Sequence, residues 1–375
     1  MRVYLDYAAT TPLDPDIEVL MRPYQFLSGN ASSVHREGST AKEALEEARE
    51  RLGRALGCSS RELVFTSGGT EANNQVLFGL GLAKGGHIVT TAIEHSAVLA
   101  PARALELSGR CEVTYLMPDQ YGIIQPEQVL EAIKPETTLV SVMHVNNELG
   151  SIQDVRAMAE ICRARKIIFH VDAVQSLGYM PLNVPEIGCD LLTISAHKFY
   201  GPKGVGALFV RRGLEIPPLL YGGHQESGLR GGTHNVPGAV GMAFAAEKAV
   251  KLQPEESTRL EGLRNAFQTL LLENPNIVLN GHPISRSPRH INVTARDVDG
   301  EALLMNLDLE GVAASSGSAC SAGSLEPSHV LTALGRNPNE ARASIRFSLG
   351  RDTTLEKLEF AAKAFGKALE RSSLQ

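Results

Sequence analysis

A chain of 375 residues with 43% hydrophobic content is long enough for one large hydrophobic core and a smaller second one, because single cores stop growing below this length. Its formal net charge of -6 and the lack of any concentrated basic stretch exclude a dedicated nucleic-acid binder. No run of about 18 apolar residues marks a membrane span, and the opening MRVYLDYAATTP has no basic stretch leading into an apolar signal core, so a soluble, cytoplasmic protein is expected.

From Arg61 to Val210, short β-branched runs alternate with amphipathic helical stretches. ELVFT is followed by EANNQVLFGLGLA, HIVTTAI by SAVLAPARALELSG, and TLVSVMHV by VRAMAEICRARK. Strands separated by helices of this length predict a mainly parallel sheet covered on both faces. IIFHVDA, DLLTISA and GALFVRR add further strands, for six or seven in all. The polar KLQPEE, Lys251 to Glu256, is read as a break in a long helix, with a second helix from Ser257 to Leu272. INVTA, GVAASSG and IRFSLG then predict strands of a smaller α+β unit. The expected division is a large domain, 15–254, and a small one made of 1–14 with 255–375.

In an open sheet of this kind, ligands sit beyond the strand C-termini, so the residues there carry the functional reading. In LVFTSGGTEANN, Gly68 and Gly69 open a helix whose free amides suit a phosphate; an ordinary strand-turn-helix junction looks the same. In IIFHVDAVQS, Asp172 closes an apolar strand, where a carboxylate either keeps a pyridinium nitrogen protonated or caps the next helix. In DLLTISAHKFYGPKG, Lys198 stands in a glycine-rich turn between apolar strands, either as a desolvated amine able to form an imine or as a solvated loop tip.

Taken together and in this chain order, the phosphate cradle, pyridinium partner and imine lysine resemble the fold-type-I pyridoxal-phosphate enzymes. Within that group, the motifs GNASSVHREG, FTSGGTEANN, EHSAV, HVNNELG, HVDAVQS, SAHKFYGPKG, GLRGGTHNV and SSGSACSAGSLEPSHVLTALG resemble the cysteine desulfurases of the iron-sulfur cluster and nitrogen-fixation type, of the class V aminotransferase family. The resemblance runs from YLDYAATTP to SIRFSLGR.

It implies pyridoxal 5'-phosphate as cofactor, with Lys198 as the Schiff-base lysine, Asp172 against the pyridine nitrogen and His95 stacked on the ring as a candidate acid/base. Gln175 and Asn147 fall on the ring-oxygen side, Asn147 also near the substrate. Gly69, Thr70, Ser195 and His197 hold the phosphate, completed by Thr233 from the neighbouring subunit of a homodimer. Arg346 is implied to clamp the substrate carboxylate, a role that suits a planar guanidinium. Each residue also has an ordinary reading: His95 as a hydrogen-bonded interior histidine, Thr233 as a turn residue, Arg346 as surface charge on a strand.

Five cysteines, Cys58, Cys111, Cys162, Cys189 and Cys320, include no CxxC pair and no zinc-ligand spacing, which fits a reducing compartment. Small residues flank Cys320 on both sides, predicting an unencumbered loop fit to carry sulfur. The other four read as packing thiols. By resemblance Cys320 takes the sulfur of L-cysteine as a persulfide, L-alanine is released, and the sulfur passes to an iron-sulfur scaffold or a sulfur-relay protein. The only metal role this implies is Cys320 as a transient iron-sulfur ligand shared with a scaffold. A selenocysteine lyase or cysteine β-lyase on the same fold, and an aminotransferase, are the competing enzymatic readings; a non-catalytic scaffold is the third. Ala31 in GNASS stands where proline is common in the family, and the chain ends soon after its last predicted helix.

Overall fold

The structure, a computed structural model, describes residues 1–81, 86–316 and 326–373. Cys320 lies outside the described residues. The chain runs β1 (Val3–Tyr4), α1 (Pro15–Gln25), α2 (Arg36–Leu56), β2 (Leu63–Thr66), α3 (Gly69–Gly81), β3 (His87–Thr91), α4 (Ser96–Leu107), β4 (Glu112–Leu116), α5 (Pro126–Ala132), β5 (Thr137–Met143), α6 (Val155–Arg165), β6 (Ile168–Asp172), α7 (Val184–Ile187), β7 (Leu191–Ser195) and β8 (Gly206–Val210). It continues through α8 (Val236–Leu272), β9 (Ile277–Asn280), β10 (His290–Ala295), α9 (Gly300–Leu309), β11 (Val312–Ala313), β12 (Ser315–Ser316), α10 (His329–Ala333), α11 (Pro338–Arg342), β13 (Ser344–Ser348) and α12 (Leu355–Ser372).

The large sheet has seven strands in the order β2-β8-β7-β6-β5-β3-β4. From β7 through β4 every pairing is parallel, and β8 alone runs antiparallel to its neighbours β7 and β2. Successive strand residues point to opposite faces, and both faces are apolar. Leu192 and Val140 join the core beneath α2, α6 and α8, whereas their neighbours Leu191 and Leu139 join the core beneath α3 and α4. That two-sided burial explains the near-continuous apolar runs in the sequence.

The smaller sheet is antiparallel, in the order β12-β13-β10-β9. Its core includes Val3, Leu5 and Tyr7 from the chain start, with Ile291, Ile345, Phe347 and Phe365. The segment GVAASSG is not one strand: Val312–Ala313 pairs with β1 and Ser315–Ser316 with β13, because the chain changes partners between them.

The expected break at KLQPEE does not occur. One 37-residue helix, α8, passes through it with Pro254 inside. Its first half buries Ala239, Val240, Ala243 and Ala246 in the large core, and its second half buries Leu260, Phe267 and Leu271 in the small one. The polar stretch is where the helix crosses from one core to the other, and it has little apolar surface to bury there.

Candidate active site

Five strand-end segments of the large sheet, with the chain start and β13, enclose a cavity of about 310 Å³. It is lined by Gly69 and Thr70 after β2, His95 after β3, Asn147 after β5, Asp172 and Gln175 at and after β6, and Ser195, His197 and Lys198 at and after β7. Arg346 on β13 and Ala8 and Ala9 from the chain start close it. Every described site residue expected from the sequence therefore meets in one place, apart from Thr233. Thr233 is exposed in the loop before α8 and does not line this cavity.

Lys198 follows β7 on a single 3-10 turn, Ala196–Lys198. Its Nζ donates to the carbonyls of Ala8 at 2.6 Å and Ala9 at 2.8 Å. Gln175 Nε2 donates to the same Ala8 carbonyl at 3.0 Å, and its Oε1 accepts from the buried Arg289 guanidinium. The first strand end of the chain is thus stitched to the amine by backbone oxygens.

Asp172 is 5% exposed. One carboxylate oxygen accepts from the Val174 amide at 3.0 Å and the other from Asn73 Nδ2 at 2.7 Å. Asn73, on α3, lines the cavity and is itself fully buried, its Oδ1 without a partner among the described residues. Sequence reasoning passed over it; its position one helical turn beyond Gly69 and Thr70 on the face they define was the available signal. Ala8 and Ala9 were missed as well, although YLDYAATTP had been singled out.

His95 is the N-cap of α4 and its Nδ1 accepts from the Ala97 amide at 3.0 Å. Burial lowers its pKa, with Lys198 acting in the same direction against the pull of Asp172. A neutral ring whose Nδ1 is an acceptor carries its proton on Nε2. Burial, with help from Lys198, Lys203 and Arg289, pushes His197 down to about 4; its Nδ1 lies 3.2 Å from Thr10 Oγ1.

Arg346 is 1% exposed and donates to the Asn147 carbonyl at 2.9 Å and to Asp6 Oδ1 at 2.6 Å. Its Nε is buried without a partner among the described residues, as is Asn147 Oδ1. Buried polar atoms left unpaired are costly, so both mark places where a ligand's polar groups belong.

At the start of α3, the first-turn amides have no intrahelical acceptors. A side chain at Gly69 does not fit: its Cβ comes 2.9 Å from Val174 Cγ2. The bare backbone here lets the start of α3 pack closely against Val174.

The remaining cysteines sit elsewhere. Burial pushes the Cys58 and Cys162 thiols up to about 12 and raises those of Cys111 and Cys189. Thiols held protonated in this way are poor nucleophiles.

The family profile described as Aminotransferase class-V matches residues 3–360. The chain belongs to this family. Among its curated relatives, "Cysteine desulfurase IscS" of Dictyoglomus turgidum is 46% identical over 98% of this chain and 95% of its own, and "Cysteine desulfurase IscS" of Methanosarcina thermophila is 45% identical over 95% and 89%. A solved structure described as a "NIFS-LIKE PROTEIN" superposes with a TM-score of 0.92 at 35% identity, covering 99% of this chain and 100% of its own. Another, "SspA in complex with cysteine", gives 0.83 at 38% identity over 93% and 99%.

The family works with pyridoxal 5'-phosphate, and the cavity suits that group. Gly69 and Thr70 at a helix start, the buried Asp172 carboxylate and the Lys198 amine line it together, a donor set fit to hold a phosphate and a protonated ring nitrogen.

Proposed function

We propose that this chain is a cysteine desulfurase, converting L-cysteine to L-alanine and leaving the sulfur on Cys320 as a persulfide. The observation that carries the reading is the convergence, on one cavity, of the Lys198 amine, the Asp172 carboxylate, the open α3 amides and Arg346 with its unpartnered Nε.

Gly69, Thr70, Ser195 and His197 are the proposed phosphate ligands, and Asp172, buttressed by Asn73, holds the proton on the ring nitrogen. Bound in this way, pyridoxal 5'-phosphate supplies an electron sink conjugated to the substrate Cα. Lys198 carries the cofactor, takes the Cα proton once its amine is released, and returns a proton as the product leaves. Arg346 binds the substrate carboxylate through its planar fork, with Asn147 beside it. His95, with its proton on Nε2, is poised to exchange it with the reacting groups. The Cys320 thiolate then bonds to the substrate sulfur as the Cβ–S bond breaks. Thiol plus cysteine gives persulfide plus alanine, so atoms and electrons balance without an added oxidant.

The exposed position of Thr233, away from its own chain's cavity, supports a homodimer in which it completes the phosphate site of a second copy. No helix among the described residues is long and apolar enough to cross a membrane, and a cytoplasmic enzyme handing sulfur to an iron-sulfur scaffold or a relay protein is the reading we adopt. Cys320 then serves as a transient iron-sulfur ligand only in company with the scaffold. Residues 15–254 are the proposed cofactor-binding unit, and 1–14 with 255–375 the smaller unit that carries Arg346 and Cys320.

The test is to incubate the purified protein with L-cysteine and a thiol reductant, and to quantify alanine, sulfide and keto acid. Equal alanine and sulfide, lost in Cys320→Ala, is the expected result. A keto acid product points instead to an aminotransferase, and turnover of selenocysteine by Cys320→Ala to a lyase.

A further inference from the structure

Glu148 is a fully buried carboxylate with no place in the chemistry above, one residue beyond Asn147. Its Oε2 accepts from Ser328 Oγ at 2.5 Å. The same Ser328 oxygen accepts from the Leu331 amide at 3.2 Å and caps α10. Next to it, His329 Nε2 donates to the Glu94 carbonyl at 2.9 Å, immediately before His95. Around these polar contacts, Ile93, Leu149, Val330 and Leu331 form a separate small apolar cluster with Ala341. Polar and apolar contacts therefore fasten the start of α10 to two strand-end segments, the ones that supply His95 and Asn147.

The segment fastened here is the C-terminal flank of Cys320. Its other flank, β12, pairs Ser315 with Arg346 on β13. Cys320 stands four residues after Ser316 and eight before Ser328, a short span for a chain that covers at most about 3.3–3.6 Å per residue. One flank is thus tied directly to Arg346 of the cavity wall, and the other to Glu94 and Glu148, each next in sequence to a residue of that wall.

We propose that Glu148, Ser328 and His329 form a latch that fixes the start of α10, the chain on the C-terminal side of Cys320, beside the walls of the cavity, making Glu148 a positioning residue for sulfur transfer. The inference rests on the reading of Cys320 as the sulfur acceptor. It separates two halves of the reaction. Proton exchange at Cα needs Lys198 and Arg346, whereas movement of sulfur needs the thiol in register. Small misplacements of a reacting group cost on the order of tenfold to a hundredfold in rate.

The experiment compares Glu148→Ala, Glu148→Gln and Ser328→Ala with the wild type and Cys320→Ala in two assays on the cofactor-loaded protein. One assay measures alanine formed from L-cysteine; the other follows, by NMR in deuterium oxide, exchange of the Cα proton of L-alanine, which involves no thiol. Glu148→Ala and Ser328→Ala are expected to lose about tenfold or more in desulfuration with exchange held within twofold. Glu148→Gln keeps an oxygen facing Ser328 and should recover most of the rate. If Glu148→Ala does not fold, the other two variants decide alone. Loss of both activities together, or of neither, overturns the latch. Should Cys320→Ala itself keep desulfurating, the underlying reading fails first, and the latch with it.

Discussion

Arg346 on β13 donates from Nη1 to the backbone carbonyl of Asn147 at 2.9 Å, so this guanidinium joins the small sheet to the loop after β5. A second nitrogen is held by Asp6 at 2.6 Å, and Nε has no partner among the described residues. The side chain is thus pinned in place with part of its donor fork unspent.

Replacing Arg346 with Lys keeps the charge but loses that fork. A hydrogen bond to a charged group contributes about 1.5–3 kcal/mol, so the KM for L-cysteine should rise about tenfold or more while cofactor binding, read from visible absorbance, stays unchanged. A KM within twofold of wild type would remove Arg346 from the substrate site.

Glu94 gives a prediction with a definite pH sign. It is fully buried, its Oε1 accepts from Thr91 Oγ1 and the Met143 amide, both at 2.9 Å, and its Oε2 has no partner among the described residues. Burial pushes its pKa up to about 8 from an ordinary 4.5. The folded state then holds a proton that the unfolded state has released between those values, so stability falls as pH rises through this window. Glu94→Gln keeps the accepting oxygen and removes the titration. Its melting temperature should exceed that of wild type at pH 8.5, with the gain shrinking to nothing near pH 4.5. A constant difference across this range would show that Glu94 does not titrate there.

Glu226 is the opposite case. Its carboxylate accepts from Arg49 at 2.6 and 2.8 Å and from the Phe65 amide at 2.8 Å, with His234 Nε2 at 3.1 Å. These partners outweigh burial and hold its pKa down at about 2. A depressed carboxylate stabilises the fold above its unfolded pKa, and that contribution disappears as pH drops toward the folded value. Glu226→Gln removes the buried counter-charge of Arg49 and leaves it only the more exposed Glu46 at 3.5 Å, a loss of up to about 3–5 kcal/mol. Urea midpoints should differ strongly at pH 7 and draw together as pH falls from about 4.5 toward 2. Equal midpoints at pH 7 would mean that the ion pair contributes nothing net.

Much of this arrangement was legible in the sequence because it lies at strand ends, where apolar runs stop abruptly at Asp172, Ser195 and Lys198. What escaped has a common physical origin. Asn73 looks like one more polar helix residue until α3 packs across β6 and brings its amide to Asp172 at 2.7 Å. Ala8 and Ala9 act through backbone oxygens, which no side-chain pattern reveals. The polar KLQPEE reads as a break because exposure between two cores and absence of helix leave the same trace in a composition. The Glu226 cluster depends on contacts 177 and 161 residues apart, to Arg49 and Phe65, and no local spacing encodes those.

The sharpest test of the phosphate cradle is steric. At Gly69 an added Cβ meets Val174 Cγ2 at 2.9 Å, with Ser195 Cβ and Thr193 Cγ2 behind at 3.7 Å. Valine cannot swing a methyl aside freely, because its branched Cβ restricts χ1. The start of α3 must therefore retreat by a few tenths of an ångström, taking the Gly69 and Thr70 amides with it. Alanine is otherwise the better helix former, by about 1 kcal/mol in a helix interior and less at its first residue, so Gly69→Ala should leave the apoprotein no less stable. Its dissociation constant for pyridoxal 5'-phosphate should nonetheless rise about tenfold, since charge-assisted hydrogen bonds to an anion are sensitive to geometry. Val174→Ala removes the obstructing methyl, and the double variant should bind the cofactor within about twofold of wild type, a non-additivity expected only of residues in contact. If the second substitution brings no recovery, the glycine is needed for something other than room.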